Sequence, residues 1–262
     1  MPYSLIKDIE AASGAGFDGL EIWRDKFRNF LQRERPGLLK KRLDDANLAP
    51  VAIGPLFMRC FSDDPEEFEQ FQRWAPAAAE IGCDLFVVCL DEPPPDEDRK
   101  FAVTRAAQVA RKWAEVVAPM KIKLAIEPVG MHRLIPGPNE AMEIVRKADH
   151  DSLGVMMDTF HYHKSSVTLG AIDSVPPDRM LLVHISDVPD MERGELTDGH
   201  RIYPGAGVVS LQQMLEIIIK NRYKGFYSVE LFNERLWHRP PEEVAKEAKA
   251  HLDKVFAALQ AG

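Results

Sequence analysis

One alternation runs the whole length of the chain and narrows the fold more than any other feature. Short apolar or β-branched runs recur at FDGLEIW (17–23), APVAIG (49–54), DLFVVCL (84–90), IKLAIE (122–127), LGVMMD (153–158), MLLVHISD (180–187) and FYSVEL (226–231). Longer amphipathic stretches separate them, at about 36–47, 65–81, 98–119, 138–148, 168–173 and 209–222. One more precedes the first run at about 4–14, and one follows the last at 241–259. Most of the short runs are nearly continuous in apolar character, as strands buried on both faces of a parallel sheet are. Strands alternating with helices build βαβ units. A closed barrel and an open doubly wound sheet both satisfy that pattern. The open sheet lacks support, because no Gly-rich phosphate loop follows an early strand. The expected fold is an α/β (β/α)8 TIM-type barrel lacking the first strand, since the chain opens directly with a helix. One domain is expected over 1–262, close to the usual barrel size of about 250 residues.

Local chemistry supports the helix boundaries. Asp64-Pro65-Glu66-Glu67 reads as a cap, then proline in the first turn, then acids at the positive end of the helix dipole. Gly16 and Gly82 each stand between an amphipathic stretch and a strand, where a helix C-terminal glycine belongs. DEPPPDEDR (91–99) reads as an exposed loop leading into a helix.

Composition excludes several classes. Lys plus Arg is 33 against 41 Asp plus Glu, a net charge of −8, which weighs against a general nucleic-acid binder. No apolar run reaches the roughly 18 residues of a membrane span, so no membrane partner is expected. The N-terminus shows no basic head followed by an apolar block. Three cysteines, Cys60, Cys83 and Cys89, include no CxxC, which fits buried or idle thiols in a reducing compartment. A cytoplasmic location is expected.

The chemistry lies at strand ends. Glu127, Asp158, His184 and Glu230 stand at or near the ends of the last four apolar runs. In a barrel all four meet at the C-terminal face, where barrel active sites lie. Two Glu, one Asp and one His make an oxygen-rich set with one imidazole. That set suits one divalent ion, Mg²⁺ or Mn²⁺, with Co²⁺ or Zn²⁺ also within range. The bland alternative is four ordinary polar strand ends, but three carboxylates converging on one mouth repel each other without a cation.

Other residues gather around this set. His161, three positions after Asp158, begins the loop above the barrel, placed either to ligate metal or to hydrogen-bond a substrate oxygen. Arg201 sits in the Gly- and Pro-rich loop DGHRIYPGAG (198–207), as a donor fork for substrate oxygens or as a solvated surface charge. Glu21 and Trp23 are two apart on a strand and face the same side, opposite Ile22. Trp23 is either core or a wall for a sugar ring. Phe232 and Trp237 cover the site or bury against the rim. No GxSxG, Walker loop or HExxH is present.

AIEPVG, MMDTFHYH, VHISD, DGHRIYPGAGVVSL and YSVELFN, in this order and spacing, make the chain resemble the xylose-isomerase-like barrels, the broad sugar isomerase/epimerase superfamily. Within it the chain is most similar to the inosose (2-keto-myo-inositol) isomerase branch. The resemblance covers essentially the whole chain, most strongly from about 122 to 235. It implies one divalent cation held by Glu127, Asp158, His184 and Glu230, with Glu127 and Glu230 doubling as the acid/base pair. It implies that His161 and Arg201 hold oxygens of a small carbohydrate substrate, and that the protein is a homodimer.

The implied activity is isomerisation or epimerisation of a keto-sugar or keto-inositol through a cis-enediolate. An inosose dehydratase or a 3-keto-glycoside lyase would start from the same proton abstraction. A non-catalytic descendant is a further alternative. Abasic-site endonucleases of the same barrel need more histidine ligands and a basic face, and the net charge of −8 and the single strand-end His weigh against them. Two departures stand out. Ketose 3-epimerases of the superfamily carry a Glu six positions after the first ligand; here that position is Arg133, which speaks against ketohexose epimerisation. And the first strand of family members is missing, which predicts a gap between the FDGLEIW and FYSVEL strands.

Overall fold

The computed structural model describes residues 2–261. Seven parallel strands form one sheet in chain order: β1 (Gly19–Trp23), β2 (Ala49–Met58), β3 (Leu85–Leu90), β4 (Lys123–Ile126), β5 (Leu153–Asp158), β6 (Met180–Ile185) and β7 (Tyr227–Val229). Around them lie α1 (Leu5–Ala15), α2 (Arg24–Leu31), α3 (Pro36–Asp45), α4 (Pro65–Ile81), α5 (Arg99–Val117), α6 (Pro138–Ala148), α7 (Thr159–Lys164), α8 (Leu169–Asp173), α9 (Leu211–Lys220), α10 (Glu234–Trp237) and α11 (Pro241–Ala261). The sheet curls into a nearly closed barrel. Among the described residues β1 pairs only with β2 and β7 only with β6, so the expected gap is present. On that side α1 packs against α11, and the Tyr3 hydroxyl donates to the Arg239 carbonyl at 2.9 Å.

The boundaries follow the local chemistry. Asp64 caps α4 by accepting from the Glu66 amide at 3.1 Å. Gly16 and Gly82 end α1 and α4 with φ of 81° and 82°, the left-handed region that glycine enters at no steric cost. Ile22, Ile53, Phe86, Leu124, Val155 and Val183 lie beneath the helices in the main core. There Phe71 of α4 stacks on Trp113 of α5 at 4.3 Å. Each large apolar side chain so buried stabilises the fold by roughly 1.5–3 kcal/mol. A second, smaller cluster of Val51, Ala52, Leu85, Val87, Ala125, Met156 and Leu182 fills the barrel interior. It forms the floor on which the polar mouth rests.

One expectation needs correction, and two short helices had no counterpart in the sequence. The segment after Asp158 is a helical turn, α7, and not a loop, because the Asp158 carboxylate caps it. Residues 24–31 form α2, and 234–237 form α10, which carries Trp237. No described helix is long and apolar enough to cross a membrane.

Candidate metal centre

Parallel register brings the four strand-end residues together. Asp158 closes β5 and lies beside His184 of β6, which lies beside Ser228 of β7. Glu127 directly follows β4, and Glu230 directly follows β7. One ligand atom from each of Glu127, Asp158, His184 and Glu230 falls within 4.8 Å of all the others. His184 is the hub. Its Nδ1 is 3.2 Å from Glu230 Oε2, 3.7 Å from Asp158 Oδ2 and 3.8 Å from Glu127 Oε1. That nitrogen is buried and has no hydrogen-bond partner among the described residues.

Each side chain is aimed by a neighbour. Glu21 Oε2 lies 2.8 Å from His184 Nε2. Asp158 Oδ1 accepts from the Phe160 and His161 amides at 2.7 and 3.3 Å, which turns Oδ2 toward the centre. The Cys89 thiol donates to Glu127 Oε2 at 3.1 Å, leaving Oε1 on the side of His184. Arg201 has no exposed surface. Its guanidinium donates to Asp158 Oδ1 at 3.0 Å and to Asp198 Oδ1 at 2.9 Å, lies 3.1 Å from Glu230 Oε2, and stacks 4.3 Å from the Phe160 ring.

The electrostatics reflect this crowding. Burial, with Glu230 nearby, pushes the Glu127 carboxyl up to about 8. Burial alone would raise Asp158 too, but Arg201 and His161 outweigh it and hold Asp158 well below the usual carboxylate range. Burial would lower His184, yet Glu21 and Glu230 hold it well above the usual histidine value. His161 is lowered, chiefly by burial.

A cavity of about 1110 Å³ opens onto this centre. Trp23, Glu127, His161, His184, Arg201 and Glu230 all line it, so six of the seven expected site residues reach it directly, and Asp158 lies beneath Arg201. Ile22 is buried in the core, as the alternation along β1 predicts. Phe232 and Trp237 also line the cavity; Trp23 meets Phe232 edge-on at 5.5 Å. Arg133 turns away from the centre, its Nε 2.9 Å from Glu92 and its guanidinium donating to the Pro93 carbonyl.

Two contributors escaped the sequence reading. Cys60 and Cys83 are buried, as idle thiols should be, but Cys89 lines the cavity. Its signal is positional: the β3–β4 register puts it beside Glu127, visible only once strands are paired. Asp198 was read as the start of a shaped loop, and its role as a partner of Arg201 was not.

A parallel barrel with carboxylates and a histidine gathered at the C-terminal ends of its last four strands defines a class: α/β barrels with a polar centre at the mouth. A sequence model described as the xylose isomerase-like TIM barrel matches residues 9–255, and the chain belongs to that family. An inosose isomerase of Halalkalibacterium halodurans is 27% identical over 252 residues, covering 94% of this chain and 89% of that protein. A 3-dehydroshikimate dehydratase of Pseudomonas putida is 26% identical over 255 residues, covering 95% of this chain and 39% of that protein. A solved structure described as the IolI protein with a binding zinc atom superimposes with a TM-score of 0.91 at 23% identity, over 98% of this chain and 94% of that one, a likeness of fold.

Proposed function

We propose that this chain is a divalent-metal-dependent isomerase or epimerase of a keto-sugar or keto-inositol, with Glu127 and Glu230 as its acid/base pair. The observation that carries the reading is the convergence of four ligand atoms within 4.8 Å around a buried, unpartnered His184 Nδ1. An imidazole nitrogen left without a partner among three carboxylates fits a cation, and three oxygens with one nitrogen suit Mn²⁺, Mg²⁺, Co²⁺ or Zn²⁺. The inosose isomerase relatives support the substrate class.

When bound, the cation supplies Lewis-acid polarisation of the ketone and stabilises charge on the enediolate oxygens. The remaining work falls to side chains. One carboxylate of the Glu127 and Glu230 pair, in its ionised form, removes the proton from the carbon beside the carbonyl; the C–H electron pair becomes the enediolate C=C bond, and the carbonyl π pair moves onto its oxygen. The partner carboxyl, in the protonated form, returns a proton to the former carbonyl carbon while the hydroxyl proton passes to the former carbonyl oxygen, giving an isomer, or to the opposite face of the carbon that lost its proton, giving an epimer; the pair resets by exchanging a proton with solvent. Cys89 holds Glu127 Oε2 through both steps. His161 offers its ring to substrate hydroxyls, Arg201 holds Asp158 and Glu230 in place beside it, and Trp23 provides an apolar wall for the ring.

A dehydratase is the second reading, favoured by the similarity to 3-dehydroshikimate dehydratases. Proton abstraction is the same, but the electron pair then forms a C=C bond to the neighbouring carbon, whose hydroxyl is protonated by the partner carboxyl and leaves as water. One experiment tests both: Mn²⁺-loaded protein with inosose in D2O. Deuterium at the carbon beside the carbonyl, without net water loss, is the expected result. Glu127→Gln and Glu230→Gln should each slow it by roughly 10²–10⁴-fold. A dehydrated product selects the second reading, and no exchange at all sinks both.

A further inference from the structure

The charges lining the cavity are unequal, and the way they pair points to the kind of ketone that can enter. Five carboxylates, Glu21, Glu127, Asp158, Asp198 and Glu230, stand around the centre. The cation among them, Arg201, is already committed to Asp158 and Asp198. Every other Lys or Arg on the described cavity wall also has its own carboxylate. Lys26 lies 2.5 Å from Asp8, Arg239 lies 2.7 Å from Glu247, and Lys249 lies 2.6 Å from Asp253. At the rim Glu92 is held by Arg133 at 2.9 Å. His132 also lines the cavity, and its Nδ1 accepts from the Leu134 and Ile135 amides at 3.0 and 3.2 Å. That ring is fixed as a neutral imidazole rather than offered as a cation.

From these pairings we infer that the site selects an uncharged polyhydroxy ketone and rejects one carrying a carboxylate or a phosphate ester. The inference rests on the isomerase reading above and narrows its substrate. A divalent cation adds two positive charges, fewer than the carboxylates around it carry beyond Arg201. An anionic substituent would have to shed its water next to like charges and without a counter-ion. A hydroxyl meets no such barrier, since it both accepts from N–H groups and donates to carboxylates. The cavity runs from the centre along the gap between β1 and β7 to α1 and α11, and it is the pairing of charges around the centre that bears on the choice of ketone. The distinction separates the two kinds of relative: inosose is uncharged, and 3-dehydroshikimate carries a carboxylate.

The test measures Kd by calorimetry and deuterium wash-in for inosose and for 3-dehydroshikimate, using the full chain loaded with Mn²⁺. Like-charge juxtaposition predicts an affinity at least about 100-fold weaker for the carboxylated ketone. That ratio should shrink as salt is raised, because screening weakens repulsion. Glu92→Gln, which removes a negative charge from the cavity wall, should improve binding of the anion by about 3–10-fold and leave inosose within about 2-fold. Equal or tighter binding of the anion overturns the inference, as does a ratio indifferent to salt and to Glu92. Tight inosose binding without wash-in upholds the selectivity and overturns the isomerase reading. If neither ketone binds, both fall.

Discussion

Glu21 on β1 and His184 on β6 meet across the barrel, Oε2 to Nε2 at 2.8 Å. Burial would raise the Glu21 carboxyl, but His184 outweighs it and holds it below the usual range, so Glu21 is an acceptor at neutral pH. An ionised acceptor on one ring nitrogen keeps the proton there and leaves Nδ1 directed at the three other carboxylates. A carboxylate behind a metal-binding histidine fixes both tautomer and ring orientation. Glu21→Gln should therefore weaken Mn²⁺ binding by about 10–100-fold with the fold intact, measured by calorimetric titration and circular dichroism. Unchanged affinity would show that ring packing alone orients His184.

The cluster predicts a metal-dependent melting temperature. A ligand that binds only the folded chain adds about 2.7 kcal/mol at 100 times its Kd. Added Mn²⁺ should raise the melting temperature of the wild type and do much less for Asp158→Asn or Glu230→Gln. Equal rises in all three would place the bound ion elsewhere.

Without metal, stability should fall as pH rises from about 5 to 8. Glu127 titrates near 8 in the folded chain against an ordinary 4.5, so the folded state holds a proton that the unfolded state has lost. His184, raised above its usual value by Glu21 and Glu230 against the pull of burial, acts in the same direction. Both groups favour the unfolded chain as pH rises, against a smaller opposing effect below about 6.5 from His161, which burial lowers. Thermal melts of chelator-treated protein across the window check this, and Glu127→Gln should flatten the slope. A melting temperature that climbs from pH 5 to 8 would contradict it.

Gly207 admits no side chain. A Cβ there would lie 2.0 Å from the Val188 carbonyl oxygen and 2.6 Å from Asp187 Oδ1. Asp187 ties this loop down by accepting from the Val188, Gly207 and Val209 amides. Gly207→Ala should cost about 2 kcal/mol or more, read by denaturant titration, because backbone must move. It should also loosen Arg201, which the same loop carries.

Hydrogen exchange should separate the strands. β1 and β7 each have one paired edge, whereas β2 through β6 have two. Amides on the open edges should exchange well before those of β3, β4 and β5. Full protection of both open edges in a monomer would mean that the barrel closes in solution.

Much of this was legible because strand ends carry their own labels. LGVMMD was read at the same limits as β5, and the stretch at 65–81 matches α4, since Asp64 and Gly82 mark its ends chemically. β2 runs to Met58, four residues beyond the expected APVAIG, because Pro55 interrupted the apolar pattern. The convergence of Glu127, Asp158, His184 and Glu230 followed from one rule, that parallel strands end on one face. What the sequence could not show was lateral order. Cys89 reaches Glu127 through strand register, and Arg201 meets Asp198 across a short 3-10 turn at Asp198–His200 that Thr197 and His200 cap. Pairings across elements carry no periodic trace.

The sheet follows the order of the chain, yet α1 finds its neighbour in α11, the last of the described helices. During synthesis α1 therefore waits, one apolar face uncovered, until α11 has left the ribosome. The middle units can condense in turn as they emerge, but the seam is sealed last. A chain stalled just short of α11 would present that bare face and the open edges of β1 and β7 together, which makes this interval the stretch of its life most exposed to chaperone capture or aggregation.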